Sequence, residues 1–452
     1  MGRRSSIRNA EPEEAVIRDV TTEGKGVADT EGKTVFVDGA LTGETVMFQR
    51  YKRRRNFDEA SLIEVLEPSA DRVTPECEFF LNCGGCTWQH LAAEQQILMK
   101  QNALMQAFER LGGGVQPGQV MPPLVGAPGG YRRRARFGVK NVDGKGRVLV
   151  GFRERVKPFI ADMDSCKTVF PRLSELLPVL QDMIAKMSIN RRLPQVEASV
   201  GDGEISMVFR VLDEPTDDDK ALLREFGERE NIIVLLQRKG PDTITQLDSM
   251  EPPGNLHYLM PGKDGDIRIE FGPIDFIQVN HEINIGMIAQ AIDWLDLQGD
   301  EKLLDLFSGL GNFSLPLAQH CAHVTGVEGE VRTVKGARRN AELNNIDNTE
   351  FHTANLFEVE ALQQEGVSWL KQDYDVVVLD PPRAGAQEIL PVVGKMKPAK
   401  ILYVSCHPGT LARDSQYIVE ELGYRLVQAG VMDMFPQTGH VESMALFVAP
   451  ER

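Results

Sequence analysis

Apolar and polar residues alternate with a period of two in the first part of the chain, from about residue 12 to residue 66. Alternation of this kind, interrupted by glycine, is typical of short β-strands joined by tight turns. The pattern predicts a small, OB-like, five-stranded β-barrel. Its turns are placed at Gly24, Gly26, Gly32, Gly39 and Gly43.

A helical period replaces the alternation after residue 90. The stretch LAAEQQILMKQNALMQAFERLGG predicts a helix over about 91–112, ended by the glycines that follow it. A Pro- and Gly-rich linker covers 116–130. Residues 131 to about 272 then mix strand-like runs with a helix-like run, which predicts an α+β domain. We place the whole central region at 67–272.

Helical patterns alternate with apolar, β-branched strand patterns from about Phe276 onward. This alternation is typical of a mainly parallel sheet covered by helices on both faces. It predicts an α/β domain over 273–452, on which the helix at about 91–112 could pack. No run approaches the roughly 18 apolar residues that a membrane span requires, so no membrane partner is predicted.

The net charge of −16 argues at first against a nucleic-acid partner, because phosphate binding usually leaves a basic surface. The basic residues are clustered, however, at 50–55 and at 132–136. Either cluster could be a solvated face or an edge that contacts phosphate. The first follows the fourth strand of the predicted barrel, and small barrels commonly bind single-stranded nucleic acid at such edges.

Six cysteines are too few, and too unevenly spread, for a disulfide scaffold in a chain of 452 residues, which favours a reducing, cytoplasmic setting. Four of them have a spacing that suggests a metal: Cys77, Cys83, Cys86 and the distant Cys166. Gly84 and Gly85 keep the loop between two of these ligands open. Four thiolates suit structural zinc and an iron–sulfur cluster equally well.

An apolar strand ends in a glycine turn that opens a helix at residues 303–318, LLDLFSGLGNFSLPLA. Such a turn lets the backbone approach a nucleotide-like ligand closely. Gly309 and Gly311 supply the turn, but Ser314 replaces the third glycine of a dinucleotide fingerprint, which disfavours NAD. Glu328 ends the next strand, where a carboxylate can accept hydrogen bonds from a ribose, and Asn355 could meet an adenine after the third strand.

Three reactive side chains follow the later strands of this sheet. Asp380 ends the fourth strand, in YDVVVLDPPRAG, and Cys406 ends the fifth, in AKILYVSCHPGT. Glu442 lies in DMFPQTGHVES, just before the last strand. Each residue alone has an ordinary explanation, respectively a helix cap, an inert core thiol and an exposed loop carboxylate.

Together the three residues suit methylation of carbon 5 of uracil, which is a poor nucleophile. Addition of the Cys406 thiolate at carbon 6 creates an enolate that can accept a methyl group at carbon 5. Glu442 would then remove the carbon 5 proton, and Asp380 would orient the base edge or the thiol. We expect the dipole of the helix after Cys406 to help lower the pKa of its thiol.

Over nearly its whole length the chain resembles the bacterial RNA 5-methyluridine methyltransferase family, specifically its large-subunit ribosomal RNA branch. The resemblance implies a TRAM barrel at 12–66, a central domain with a [4Fe–4S] cluster, a C-terminal Rossmann-like domain that binds S-adenosylmethionine, and 23S ribosomal RNA as substrate. It does not indicate an obligate protein partner. The positions that match the family's cofactor contacts are Gln278, Phe307, Asn312, Glu328, Asn355 and Asp380. Cys406 matches the family's nucleophile and Glu442 its base. The positions that match its cluster ligands are Cys77, Cys83, Cys86 and Cys166.

Three other hypotheses were weighed against this one. A radical enzyme would need C-x3-C-x2-C, whereas this chain has C-x5-C-x2-C. Amino-group methyltransferases with an Asp-Pro-Pro-aromatic turn have an aromatic side chain where this chain has Arg383. A non-enzymatic rRNA-binding assembly factor has no need of a nucleophile and base together. Related enzymes also methylate transfer RNA, but the amino-terminal barrel favours the large-subunit branch.

Overall fold

The computed structural model describes residues 11–450 with the exception of residues 31 and 252. The first sheet has the strand order β1-β5-β6-β4-β3-β2, formed by β1 (Glu13–Val16), β2 (Asp19–Val20), β3 (Lys25–Thr30), β4 (Lys33–Asp38), β5 (Thr45–Arg53) and β6 (Phe57–Glu67). Five strands were predicted here, and the difference arises because the first one is broken. Between its halves, Ile17 N–H donates to the carbonyl of Glu44 and Arg18 N–H to that of Val27, so one segment reaches both edges of the sheet.

Residues 75–90, which we call the cysteine segment, precede helix α1 (Ala93–Leu111), and this helix ends at Gly112, as its sequence predicts. Its buried residues recur at spacings of three and four and therefore share one face: Gln96, Lys100, Leu104, Ala107 and Phe108. The last three belong to the hydrophobic core of the C-terminal sheet. The linker after the helix adds a two-residue strand, β7 (Gln119–Val120), to the edge of that sheet.

The central region contains a six-stranded sheet of order β13-β12-β11-β10-β8-β9 with two helices. The elements are β8 (Arg134–Val142), β9 (Arg147–Gly151), α2 (Pro171–Lys186), β10 (Gln195–Val200), β11 (Ile205–Arg210), α3 (Asp217–Glu230), β12 (Ile233–Gln237) and β13 (Ile244–Gln246). Helix α3 was not predicted, because its buried face holds only Asp219, Leu223 and Phe226 and the helical period is weak. A hairpin of β14 (Leu256–Met260) and β15 (Ile267–Phe271) follows.

The C-terminal region is an open, doubly wound sheet of order β18-β17-β16-β19-β20-β22-β21-β7. Its elements are α4 (His281–Leu295), β16 (Lys302–Leu306), α5 (Ser314–Ala318), β17 (His323–Glu328), α6 (Val331–Leu343), β18 (Thr349–Thr353), α7 (Val359–Glu365), β19 (Val376–Leu379), α8 (Leu390–Met396), β20 (Lys400–Ser405), α9 (Pro408–Glu420), β21 (Arg425–Met432) and β22 (Glu442–Val448). Strands β16 to β20 pair in parallel, and β22 lies antiparallel between β20 and β21.

The chain leaves β16 toward β17 on one side, and later returns to place β19 on the other side. Such a switch point opens a crevice at the carboxyl ends of the strands, where ligands bind in sheets of this kind. Of the helices in the described ranges, none is long and apolar enough to cross a membrane.

Candidate active site

A cavity of about 1150 Å³ opens at the carboxyl ends of the parallel strands. Its volume exceeds the range of roughly 300–1,000 Å³ that is usual for a single small-ligand site, so it has room for two ligands. Apart from Gly311, every site residue predicted from the sequence lines it: Cys77, Cys83, Cys86, Cys166, Gln278, Phe307, Gly309, Asn312, Glu328, Asn355, Asp380, Cys406 and Glu442.

The glycine turn after β16 brings backbone to the cavity wall. Phe307, Gly309 and Gly311 all have positive φ angles, of 66°, 56° and 93°, and only glycine adopts these without cost. A Cβ atom added to Gly309 would meet no other atom within 4 Å, so the space above the turn is open. Gly311 faces the protein instead, against Leu315.

Glu328 is the last residue of β17, and its carboxylate is held over the turn. One oxygen accepts the N–H of Gly309 at 3.2 Å, and the other accepts the N–H of Gly329 at 2.6 Å. Asn355 is exposed just beyond β18, where its side-chain oxygen accepts the N–H of Phe357 at 3.1 Å. The ring of Phe357 lies 5.8 Å from that of Phe307, so two aromatic rings border this end of the cavity.

Asn312 belongs to a polar group that the sequence did not reveal. Its side-chain amide exchanges two hydrogen bonds of 2.9 Å with that of Asn284 on α4, and it accepts the hydroxyl of Tyr258 at 3.0 Å. These contacts join β14 and α4 to the glycine turn. Gln278 lies in the cavity wall three residues before α4.

Asp380, Cys406 and Glu442 come together because their three strands are neighbours. Asp380 directly follows β19, Cys406 directly follows β20, and Glu442 is the first residue of the antiparallel β22. Ser405 pairs with Ser443, so Cys406 and Glu442 both lie immediately beyond the last pair of the β20–β22 ladder, at the same edge of the sheet.

Burial raises the pKa values of all three groups, and repulsion from neighbouring carboxylates adds to the rise for Glu442 and Cys406. Burial raises the pKa of Asp380 to about 7. Burial and the Asp380 carboxylate raise the pKa of Glu442 to about 8, against the opposing charges of Arg383 and Lys100. Burial and the carboxylates of Glu442 and Asp380 raise the pKa of Cys406 to about 11. The pKa of the Cys406 thiol is therefore raised overall, and the lowering contribution of the α9 dipole stays a prediction.

The segment 433–441, which we call the base loop, connects β21 to Glu442. Its backbone is held by the cysteine segment, since the N–H groups of Thr87 and Trp88 donate to the carbonyl of Gln437 at 2.9 and 3.0 Å. A Cβ atom on Gly439 would clash with the backbone carbonyl of Thr22 in the N-terminal sheet. The loop thus fits against two regions that are distant in sequence.

Arg383 and His440 lie at the mouth of the cavity, with an Arg383 nitrogen 3.0 Å from Nδ1 of His440. No sequence pattern predicts a contact between these two residues. Arg132 also lines the cavity, with its guanidinium 6.0 Å from the centre of the Phe435 ring. These side chains make one wall of the cavity cationic and aromatic.

The four predicted metal ligands line the same cavity. Burial and the neighbouring thiols together raise the pKa of Cys83 to about 11 and that of Cys86 to about 12. The N–H of Gly85 donates to the Cys83 sulfur at 3.4 Å. Within the described part of the chain, no group of three or more Cys, His, Asp or Glu side chains is arranged to hold a metal ion. Cys321 is buried just after α5.

Most of the basic residues in the two clusters form ion pairs within the protein. Arg50 is buried against Asp58 and Glu13, and Lys52 pairs with Glu59. In the second cluster, the ion pairs are Arg133 with Asp202, and Arg134 and Arg136 with Glu197. The exposed members of the first cluster include Arg53 and Arg55, and Arg132 faces the cavity.

The strand order of the C-terminal sheet, the glycine turn after its first strand and the carboxylate after its second define an S-adenosylmethionine-dependent methyltransferase fold. Residues 126–449 match the family described as tRNA (Uracil-5-)-methyltransferase. The chain belongs to this family of RNA uracil-C5 methyltransferases.

Two curated relatives and one solved structure extend the comparison. The 23S rRNA (uracil(1939)-C(5))-methyltransferases RlmD of Methylococcus capsulatus and Alkalilimnicola ehrlichii are each 46% identical to this chain, with 97% and 99% of both chains covered respectively. The Pyrococcus abyssi tRNA (uracil-54, C5)-methyltransferase, solved with S-adenosyl-L-homocysteine, is 26% identical. It superposes with a TM-score of 0.72 over 96% of this chain and 100% of its own.

Proposed function

We propose that the chain methylates carbon 5 of a specific uridine in 23S ribosomal RNA, with S-adenosylmethionine as methyl donor. The names of the full-length relatives support the reaction and the substrate. The observation that carries the mechanism is the placement of Asp380, Cys406 and Glu442 at adjacent strand ends in one cavity.

Cys406 is the nucleophile of this mechanism. Its thiolate adds to carbon 6 of uracil, and the electron pair of the 5,6 double bond moves toward the carbonyl oxygen at carbon 4 as an enolate. Carbon 5 then takes the methyl group, whose bond to the sulfonium sulfur breaks, so that the donor leaves as a neutral thioether. Glu442 removes the proton from carbon 5, the double bond re-forms, and the Cys406 sulfur leaves carbon 6. Asp380 orients the uracil edge from the neighbouring strand.

S-adenosylmethionine, when bound, supplies an electrophilic methyl group on sulfur. The residues present fit it, because the open space above Gly309 admits a nucleoside and the Glu328 carboxylate lies beside that space. Glu328 would hold the ribose hydroxyls, and Phe307 and Asn355 the adenine. Asn312, Gln278 and Asp380 would form the wall toward the methyl group.

We further propose three regions: a TRAM-type barrel at 12–66, a central region at 67–272 and the methyltransferase domain from residue 273 onward. The proximity of both sheet edges to the segment around Ile17 and Arg18 supports closure of the first. Exposed Arg53 and Arg55 give it a basic edge for RNA. Crosslinking of bound rRNA to this region tests its role, and crosslinks confined to the other two regions would contradict it.

The thiols of Cys77, Cys83, Cys86 and Cys166, which line the cavity, would hold a [4Fe–4S] cluster. Support comes from the donor set, since four cysteines from two distant segments line one space. The reaction requires no electron transfer, so the cluster would tie the cysteine segment to the segment between β9 and α2 that carries Cys166. Equimolar iron and acid-labile sulfide in anaerobically purified protein would support the assignment, and zinc in their place would overturn it.

A covalent trap tests the mechanism. Large-subunit rRNA fragments that contain 5-fluorouridine, incubated with the protein and S-adenosylmethionine, should give a methylated, denaturation-resistant adduct at Cys406, because fluorine cannot leave as a proton. Cys406→Ala should abolish both the adduct and the methylation of ordinary rRNA, whereas Cys321→Ala, which removes a buried thiol outside the cavity, should retain both. Methyl transfer that persists in Cys406→Ala would favour an amino-group methyltransferase with the Asp380-Pro381-Pro382 turn.

A further inference from the structure

Lys100 in the middle of α1 is among the most deeply buried side chains of the described chain, with 0% exposure. A buried ammonium group is costly unless it is paired and hydrogen-bonded. Its Nζ donates to the Asp433 carboxylate at 2.6 Å and to the carbonyl of Phe435 at 3.0 Å. It also lies 5.8 Å from the centre of the Trp88 ring. All its partners therefore belong to the base loop or to the cysteine segment.

Gln96 makes the same connection one helical turn earlier. Its amide nitrogen donates to the carbonyls of Trp88 and Leu91, at 3.1 and 2.9 Å, and to the side-chain oxygen of Gln437 at 3.0 Å. Its amide oxygen accepts the backbone N–H of Gln437 at 3.0 Å. Gln437 has a φ of 69°, which is unfavourable for a residue with a side chain, and these contacts hold it there.

The base loop leads directly into Glu442, so a helix face that fixes the loop also fixes the start of β22. Lys100 acts on Glu442 through its charge as well. Four groups face Glu442: Asp380 from the end of β19, Arg383 just beyond it, Cys406 from the end of β20 and Lys100 from α1. The two cations oppose the rise in the pKa of Glu442 that burial and Asp380 produce.

We propose that Lys100, supported by Gln96, is a positioning residue that sets the geometry and charge environment of Glu442. It thereby governs removal of the carbon 5 proton, and not attack by Cys406 at carbon 6. The inference rests on the proposed function, in which Glu442 is the base. It assigns a part in the reaction to a helix outside the methyltransferase sheet.

The test uses the full chain, S-adenosylmethionine and an rRNA fragment with ordinary uridine. Lys100→Met combined with Asp433→Asn removes the buried pair without leaving a lone charge. We expect adduct formation at a rate close to that of the wild type, accumulation of the methylated adduct, and turnover lower by about 10- to 100-fold, the scale expected for a misplaced catalytic group. The acid limb of the pH–rate profile should move to higher pH, because Glu442 without the nearby cation binds its proton more tightly.

Lys100→Arg keeps the charge and should leave the acid limb of the pH–rate profile in place. The matched control is Lys186→Met, at an exposed position of α2. A purely structural role would lower adduct formation and release equally without moving the pH profile, and that result would overturn the proposal. Failure of the proposed function is distinguishable, because the wild-type protein would then form no adduct with 5-fluorouridine.

Discussion

The two ends of the cavity differ in where their residues come from. The end around the glycine turn is built from β16, β17 and the segments that follow them, within one sheet and mostly between residues 307 and 380. The end around Glu442 requires the base loop, α1, the cysteine segment and the N-terminal sheet. A cofactor site can thus be set by one local strand–turn–helix unit, whereas the position of the base depends on the whole chain.

Glu442→Gln should have the largest effect and should leave the glycine-turn end unaffected. Loss of a general base typically costs 10²- to 10⁴-fold in rate, so turnover should fall on the order of that range. The methylated adduct should accumulate on ordinary uridine, while the Kd for S-adenosylmethionine stays unchanged. Quenched-flow analysis with denaturing gels measures the adduct. Glu109→Gln, on the exposed face of α1, is the control, and an adduct that turns over at the wild-type rate would rule out Glu442 as the base.

Glu328→Ala should damage the other end of the cavity. Removal of a carboxylate that contacts the ribose should raise the KM for S-adenosylmethionine by about 10- to 100-fold with little change in kcat, because the contact is present in ground state and transition state alike. Titration calorimetry gives the matching loss of affinity. Glu342→Ala, at an exposed position of α6, should bind normally. A fall in kcat with unchanged affinity would place Glu328 at the chemical step instead.

Cys166→Ala should have the smallest effect on the reaction. Loss of a cluster ligand should remove iron and loosen the cysteine segment, and through Thr87 and Trp88 it should slow turnover by a few-fold. The affinity for S-adenosylmethionine should not change. Iron analysis, calorimetry and turnover assays on one preparation check this, with Cys321→Ala as control. Equal losses of affinity and turnover would show that the two ends are not independent.

The same difference explains what the sequence could predict. Gly309, Gly311 and Glu328 were accessible because a strand, a glycine turn and a carboxylate follow one another within one βαβ unit. Asp380 and Cys406 were accessible because parallel strands end at one edge. Gln278 came only from the family resemblance, since no local pattern marks it.

Lys100 and Gln96 were missed because a lysine in an amphipathic helix usually faces solvent. A signal was nevertheless present, since both residues lie on the same stripe as Leu104 and Phe108, at intervals of four. Polar residues on an apolar stripe indicate a buried partner, but the partner lies 333 residues away for Lys100 and no periodicity can name it. The Arg383–His440 contact was hidden for the same reason.

The contact between Lys100 and Asp433 also has a consequence for how the protein becomes active. Contacts between residues far apart in sequence form late, because the entropy of closing a long loop must be overcome first. During synthesis, α1 leaves the ribosome long before the base loop exists, and the Lys100 amine has no counter-charge until Asp433 has been made. A nascent chain that already contains the whole glycine turn could therefore hold the methyl donor while it is still unable to complete a methylation.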